Sequence, residues 1–288
     1  MSGFTRVVKK LAIVALAGLP AVALAAGPIG HALPGQIGFI PADTTVARDI
    51  HVFHNDLLMP IITLISLFVL ALLIYVGWRF GEKRHPVPTR TTHNTMLEMA
   101  WTVIPILILV VIAVPSFKLL TNQLTLPKPD ITMKVTGHQW YWSYDYPKSE
   151  GGFSFDSLLI PDNKIDTTKG QLRLLSVDNP AVVPVGKTIL VQVTGADVIH
   201  SFTVPSFGIR IDAIPGRLNE TWFKAEHRGT YYGECSNICG QNHAFMPIEF
   251  KVVSEADYKA WLLTAKKQFA MAGQNPVQMA AAAAVAAH

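Results

Sequence analysis

The chain has little charge and almost no cysteine. Only 15% of its 288 residues are charged, against about 25% in an average soluble domain. This composition excludes a disordered chain and a coiled coil, and two cysteines are too few for a disulfide-rich miniprotein. Because 50% of the residues are hydrophobic, the composition indicates a protein that lies partly in a membrane.

Residues 1–25 have the pattern of a secretory signal peptide. Arg6, Lys9 and Lys10 precede a short apolar run, which ends in the small residues Ala23 and Ala25. The alternative is a first transmembrane helix, but the run is shorter than the about 20 residues that such a helix needs. We therefore expect this segment to be removed, leaving residues 26–56 as an exported N-terminal segment.

Two apolar segments predict a transmembrane hairpin. Residues 57–78 contain no charged side chain, and the second predicted span covers residues 99–120. The connecting loop, 79–98, is rich in Lys and Arg, whereas the exported segment contains only Arg48. The positive-inside rule then places the loop in the cytoplasm and both termini outside. We expect a bacterial inner-membrane protein with two spans and periplasmic N- and C-termini.

Residues 128–254 have the character of an exported β domain. Turn-forming residues separate strand-like runs at 131–135, 171–177, 187–194, 199–204 and 248–253, which predict a β-sandwich or barrel. A short helix is expected at 255–272, and the Ala-rich tail, 273–288, has the composition of a disordered segment. Acidic residues slightly outnumber basic ones in the β domain, so nucleic acid is not an expected partner.

The most informative motif is Cys235-x3-Cys239-x3-His243-x2-Met246, with His200 at the start of an earlier strand-like run. Two thiolates, two imidazoles and a thioether are soft or borderline ligands that suit copper, and the thioether argues against zinc. Two thiolates can bridge two copper ions, each keeping one histidine, with Met246 and a loop carbonyl as weak ligands. Such a site lacks an open position for substrate and favours electron transfer.

Two alternatives compete with the copper centre. Paired cysteines in an exported domain often form a disulfide, although a disulfide leaves His243 and Met246 unexplained. A thiol-based copper carrier also uses two close cysteines, but it needs no two-span hairpin.

Four stretches of the chain carry a family resemblance. They are LEMAWTVIP at 97–105, GHQWYWSY at 137–144, DVIHSF at 197–202 and DAIPGRLN at 212–219, followed by the cysteine loop. With them, the chain resembles subunit II of the cytochrome c oxidases, from the hairpin to about residue 253. The resemblance implies a membrane-anchored all-β protein, in which a two-helix hairpin precedes a cupredoxin-like barrel or sandwich and a short C-terminal helix.

The resemblance also implies a cofactor and partners. In the family, a binuclear CuA centre of two copper ions accepts electrons from cytochrome c and passes them to haem a in subunit I. Subunit I also holds haem a3 and CuB, and reduces oxygen to water coupled to proton pumping; subunit III and membrane lipid are further partners. The implied copper ligands are His200, Cys235, the carbonyl of Asn237, Cys239, His243 and Met246. A quinol-oxidase subunit of the same family lacks these ligands.

Position 237 departs from the family pattern. The family usually has Glu there, whose side chain also binds Mg²⁺ or Mn²⁺ at the boundary with subunit I. Asn237 keeps the backbone carbonyl, but it offers the hard cation a neutral amide oxygen in place of a carboxylate. A weakened Mg²⁺ or Mn²⁺ site is therefore expected.

Three further roles follow from the resemblance. Trp140 corresponds to the residue through which electrons enter, with core packing as the alternative, and packing is expected for the neighbouring aromatic residues. Glu98 corresponds to the mouth of a proton-uptake pathway, with an interfacial carboxylate at a helix N-terminus as the alternative. Cytochrome c docking is assigned to four carboxylates: Asp145, Asp156, Asp178 and Asp197.

Overall fold

The computed structural model describes residues 30–87 and 90–272. The predicted signal peptide, 1–25, and the Ala-rich tail, 273–288, lie outside the described residues. Two long helices come first, α1 over Thr45–Arg79 and α2 over Thr95–Leu124. A β domain follows, and helix α3, Glu255–Ala272, ends the described chain.

The β domain is a sandwich of two five-stranded sheets. The strands are β1 Ile131–His138, β2 Tyr141–Tyr146, β3 Phe153–Ser157, β4 Ala181–Pro184, β5 Ile189–Gly195, β6 His200–Val204, β7 Ile209–Ala213, β8 Asn219–Phe223, β9 Gly229–Cys235 and β10 Pro247–Val253. One sheet has the order β3-β2-β1-β5-β8 and the other β4-β10-β9-β6-β7. Both sheets are mixed, because β1 pairs with β5 and β10 with β4 in parallel. The predicted cupredoxin-like fold behind a helical hairpin is confirmed.

Alternation along β2 builds much of the core. Trp142, Tyr144 and Tyr146 point inward and are buried, whereas Ser143 and Asp145 lie on the outer face. Each large side chain buried in this way contributes about 1.5–3 kcal/mol to stability. The packing role expected for these aromatic residues is confirmed.

The strand expected at 171–177 was wrong. The backbone turns there, with the N–H of Ser176 bonded to the carbonyl of Leu172 at 3.0 Å, and Leu174 has a positive φ of 65°. The Ser176 hydroxyl in turn accepts the N–H of Leu172 at 2.9 Å. Such local side-chain bonds satisfy the backbone within the turn and compete with sheet pairing. Within 171–177, only Val177 pairs with another strand-like segment, through an isolated bridge to Leu159.

Both long helices exceed their predicted spans. Helix α1 has 35 residues and α2 has 30. The most apolar stretch of each is not buried by any other described part of the chain. A π-helical turn, Phe53–Leu58, lies within α1, and α2 continues through Pro105 and Pro115. Uncovered apolar helices of this length need lipid or other membrane helices around them, so the protein is anchored in a membrane.

Asp43 attaches the segment before α1 to the sandwich. Its side chain is fully buried, and one carboxylate oxygen lies 2.8 Å from Nδ1 of His227. The other accepts the backbone N–H groups of Glu226 and His227 at 3.2 and 3.3 Å. Because a buried carboxylate needs such donors, this network holds the N-terminal segment against the β8–β9 loop.

The first turn of α1 is itself bonded to the sandwich. Thr44 is the N-cap, and its hydroxyl accepts the N–H of Ala47 at 3.0 Å while donating to the carbonyl of Phe207 at 2.9 Å. One turn later, the Arg48 guanidinium donates two bonds to the Glu226 carboxylate, at 2.6 and 2.7 Å. The long helix therefore begins on the surface of the β domain.

Candidate metal centre

Two strands and one loop assemble the cysteine motif. Cys235 is the last residue of β9, and Met246 directly precedes β10. His200 begins β6, which pairs with β9 through Phe202 opposite Cys235. The sheet register therefore brings His200 and Cys235 to the same end of the sandwich, above which the loop from 236 to 246 folds.

The sulfur and nitrogen atoms of the motif converge. Ligand atoms of His200, Cys235 and Cys239 lie within 4.8 Å of one another. Sγ of Cys239 is 3.9 Å from Sγ of Cys235, 3.5 Å from Nδ1 of His243 and 3.5 Å from Sδ of Met246. The structure thus brings all five side chains of the predicted ligand set together.

Asn237 approaches the cluster through its backbone. Its carbonyl oxygen lies 3.3 Å from Sγ of Cys235. A carbonyl at this position is the sixth donor that the sequence predicted, and any residue type would supply it.

Asp197 orients the ring of His200. A carboxylate oxygen of Asp197 lies 2.8 Å from Nε2, while the buried Nδ1 has no hydrogen-bond partner within the part of the chain that the structure describes. Metal-binding histidines typically donate one ring N–H to a carboxylate and present the other nitrogen to the ion. Nδ1 is therefore free to bind a metal ion held by the two thiols.

The two thiols differ in acidity. Although burial opposes ionisation, the adjacent imidazole of His200 lowers the pKa of Cys235 to about 6. Burial and the adjacent Cys235 thiolate raise the pKa of Cys239 to about 12. At 3.9 Å the two sulfurs are far beyond the about 2.05 Å of a disulfide. The disulfide alternative is not what this structure forms.

The donor set fits copper. The cluster offers two sulfurs that become thiolates, two imidazoles and a thioether, which are soft or borderline donors. Cys235, Cys239, Met246 and His200 are all buried. Holding both thiolates in so small a buried space requires positive charge between them, which a pair of copper ions would supply.

Trp140 lies against the cysteine loop. Its indole N–H donates to the carbonyl of Cys239 at 3.2 Å, and the Gln139 side chain donates to the same oxygen at 2.9 Å. The N–H of Gln139 in turn bonds Asp197 at 2.7 Å. The half-buried Trp140 ring therefore joins the molecular surface to the backbone of a predicted copper ligand.

The four predicted docking carboxylates differ in environment. Asp145 and Asp156 share the outer face of the first sheet, but Asp145 lies 3.8 Å from Lys134 and Asp156 accepts the Ser143 hydroxyl at 2.6 Å. Asp178 and Asp197 are exposed, and each also accepts nearby backbone N–H groups. None of the four is buried, so all can contribute to a surface potential.

Glu98 lies in the first turn of α2. Its carboxylate accepts the N–H of Asn94 at 3.3 Å, and the Asn94 side chain accepts the N–H of Leu97 at 3.1 Å. This reciprocal cap satisfies two helix N–H groups, and it agrees with the interfacial-carboxylate alternative. It leaves the proton-uptake role as a prediction.

Two contacts were missed by reasoning from the sequence. Asp197 was predicted as a docking residue, whereas the structure engages both of its oxygens near His200. The Asp-x-x-His spacing was a usable signal, because such a carboxylate can reach the distal ring nitrogen. Gln139 gave no signal beyond its place next to Trp140.

Comparisons with known proteins agree with this geometry. Residues 131–253 match the family model for the cytochrome c oxidase subunit II periplasmic domain, and residues 32–119 match the transmembrane domain of the same subunit. Probable cytochrome c oxidase subunit 2 of Rickettsia felis is 49% identical over 244 residues, covering 85% of this chain and 76% of the relative. Cytochrome c oxidase subunit 2 of Cereibacter sphaeroides is 48% identical over 254 residues, covering 83% of each chain.

A solved structure is also similar. The periplasmic domain of subunit II of cytochrome oxidase from Bradyrhizobium japonicum is 58% identical, covers 50% of this chain and 99% of its own, and superposes with a TM-score of 0.46. The family matches cover both the helical hairpin and the β domain, and close to half of the residues are identical over more than four fifths of the chain. The chain therefore belongs to the cytochrome c oxidase subunit II family and is a subunit of a terminal oxidase.

Proposed function

We propose that this chain is the electron-accepting subunit of its oxidase and holds a binuclear copper centre of the CuA type. One observation carries the proposal: the unpartnered Nδ1 of buried His200 faces two free thiols whose sulfurs lie 3.9 Å apart. A copper carrier would share the thiols, but it would not need two membrane helices of 35 and 30 residues.

Six donors would bind the metal. They are His200, Cys235, the backbone carbonyl of Asn237, Cys239, His243 and Met246. When bound, the two copper ions would exchange a single electron shared between them. The protein's part is to hold these donors in fixed positions: Asp197 fixes the His200 ring, and Trp142 donates its indole N–H to the carbonyl of Met246 at 3.1 Å. A rigid, buried donor set keeps reorganisation small when charge moves.

The electron donor would be cytochrome c. Asp145, Asp156, Asp178 and Asp197 would attract a basic partner and raise its association rate at low salt. Cytochrome c would then contact Trp140, because the indole of this residue is partly exposed and is hydrogen-bonded to the carbonyl of Cys239. Haem a in subunit I is the proposed acceptor, beside haem a3 and CuB of the same subunit, with subunit III as a further partner.

The membrane arrangement follows from the charge pattern. Removal of residues 1–25 would leave the N-terminus and the β domain, 128–254, in the periplasm of a bacterial inner membrane, with the basic loop in the cytoplasm. Glu98, at the cytoplasmic end of α2, would then serve proton uptake into subunit I in addition to capping the helix. At the boundary with subunit I, Asn237 would leave a Mg²⁺ or Mn²⁺ site weaker than one built on Glu.

Copper counting with EPR tests the central proposal. The full chain, purified in detergent and loaded with copper under mild reductant, is expected to hold two copper ions. After partial oxidation, the spectrum should show one unpaired electron coupled to both nuclei. One copper per chain with a single-nucleus spectrum, or a disulfide between Cys235 and Cys239 in the loaded sample, would contradict the proposal.

Replacing Trp140 by Phe separates electron transfer from metal binding. The variant loses the bond to Cys239 but no metal donor, so copper content and the EPR spectrum should stay unchanged. We expect oxidation of cytochrome c to slow by about tenfold or more in kcat with little change in KM. Trp222→Phe is the control, since this residue lies on β8, in the sheet opposite the one that carries Cys235. Equal rates for the two variants would assign Trp140 to packing.

A further inference from the structure

An open cavity lies where α1 ends, far from the cysteine motif in sequence. It has a volume of about 440 Å³ and is lined by Gly77, Trp78, Gly81, Glu82, Lys83 and Arg84. This cavity begins where the apolar span stops, at the depth where lipid headgroups lie.

The cavity is built around Trp78 and Arg84. The Arg84 guanidinium donates to the carbonyl of Trp78 at 2.8 Å and lies 4.6 Å from the centre of its ring. These contacts fix the cation and cap the carboxyl end of the helix. A guanidinium has five N–H donors in a planar fork, so most remain available to a phosphate.

Charge in the cavity favours an anion. Among residues 30–87 and 90–272, neither Lys83 nor Arg84 forms an ion pair with a carboxylate. Glu82 is the opposing charge in the lining, and Arg79 lies in sequence between the lining residues Trp78 and Gly81. Trp78 is 61% exposed, as an aromatic residue at a membrane interface is expected to be.

The two glycines leave the space open. Gly77 lies in the last turn of α1 and Gly81 two residues beyond its end; a Cβ added at Gly77 would meet no atom within 4 Å, and one at Gly81 would lie 3.3 Å from the Gly77 carbonyl oxygen. Backbone and not side chain therefore forms this part of the wall. The end of α1 thus offers a fixed guanidinium, a second cation and an open space beside the backbone. Together these features suit the phosphodiester group of a lipid at the bilayer surface.

We propose that this cavity binds the headgroup of an anionic phospholipid of the phosphatidylglycerol type. The phosphate contacts Lys83 and Arg84, the acyl chains lie along the apolar surface of α1, and Trp78 marks the depth of the headgroup. The site needs only the membrane anchoring of the chain and is independent of the copper proposal.

Native mass spectrometry of the full chain in detergent tests the site. With phosphatidylglycerol, phosphatidylcholine and phosphatidylethanolamine added in equal amounts, the wild-type chain should retain the anionic lipid preferentially. A basic residue near an anionic headgroup is worth about a fivefold change in binding, so Lys83→Gln and Arg84→Gln should each reduce the preference by about that factor. Gly77→Leu should reduce it too, because it fills the cavity without changing charge.

Two matched variants make the result specific. Arg90→Gln removes a cation from the same loop but outside the cavity, and should change the preference less than twofold. Glu82→Gln should increase retention of phosphatidylglycerol. No preference in the wild type, or equal losses for Arg90→Gln and Lys83→Gln, would overturn the site. Preference for phosphatidylethanolamine, lost in Glu82→Gln, would overturn the anionic assignment. Copper content should be unchanged in all variants, which keeps this test separate from that of the proposed function.

Discussion

Replacing Cys239 by Ser is expected to abolish the proposed copper centre while leaving the fold intact. Sγ of Cys239 is the most connected donor atom of the cluster, within 3.9 Å of Cys235 and 3.5 Å of both His243 and Met246. A serine hydroxyl is a hard donor that stays protonated near neutral pH, so it cannot bridge two soft metal ions. Copper should fall from two ions per chain to one or none.

The loss should be large. Removing only an outer partner of a metal ligand typically costs about 10–100-fold in metal affinity or activity, and removing a ligand itself should cost more. We therefore expect cytochrome c oxidation below about one hundredth of the wild-type rate, with the shared-spin EPR spectrum lost. Copper analysis, EPR and turnover of the purified oxidase complex measure these effects.

Ser236→Ala provides the matched control on the same loop. Ser236 lies between Cys235 and Asn237, but its hydroxyl bonds Thr203 at 2.6 Å and accepts from Arg210 at 3.1 Å, away from the sulfurs. It should keep both copper ions. If Cys239→Ser also kept two copper ions and the shared spin, Cys239 would not belong to the centre.

Replacing Asp43 by Ala should strongly destabilise the β domain. The carboxylate is fully buried and satisfies two backbone N–H groups and the His227 ring. Its removal takes the side-chain acceptor from the N–H groups of Glu226 and His227 and empties a fully buried position, which should cost about 1–3 kcal/mol. The midpoint of thermal unfolding of the β domain should fall by roughly 10 °C, as followed by near-UV circular dichroism of the chain in detergent.

An exposed carboxylate supplies the comparison for Asp43. Asp162 pairs with Arg173 at 2.7 Å, with the two side chains 56% and 66% exposed. Exposed pairs contribute about 0–1 kcal/mol, so Asp162→Ala should shift the midpoint only slightly. Equal shifts for the two variants would mean that the Asp43 network does not hold the N-terminal segment to the sandwich.

Strong local patterns made part of the structure predictable. Long uncharged runs identified both membrane helices, and the Cys-x3-Cys-x3-His-x2-Met spacing identified donors that the structure brings together. Because that motif lies on one loop, its convergence needs little long-range information. His200 was harder, since its position depends on the pairing of β6 with β9.

Long-range contacts account for what was not predicted. The first predicted span is shorter than helix α1 because Thr45–Val52 is polar enough to be taken for a loop. The start of this helix is fixed by the bond from Thr44 to the distant residue Phe207. The run at 171–177 has the hydrophobicity of a strand, but side-chain bonds within the turn take up its backbone groups. Asp43 is one carboxylate among many in the sequence, and nothing local indicates that folding will bury it.

The attachment of α1 to the sandwich has a mechanical consequence. A domain on a slack tether would sample a range of tilts and heights above the bilayer. Here the span enters the β domain as one helix, whose cap and first turn are bonded to it through Thr44 and Arg48. These bonds restrict the distance between the cysteine loop and the membrane-spanning part of the helix. Since electron tunnelling slows steeply with distance, a restricted distance would keep the proposed transfer rate to an acceptor in the bilayer uniform from molecule to molecule.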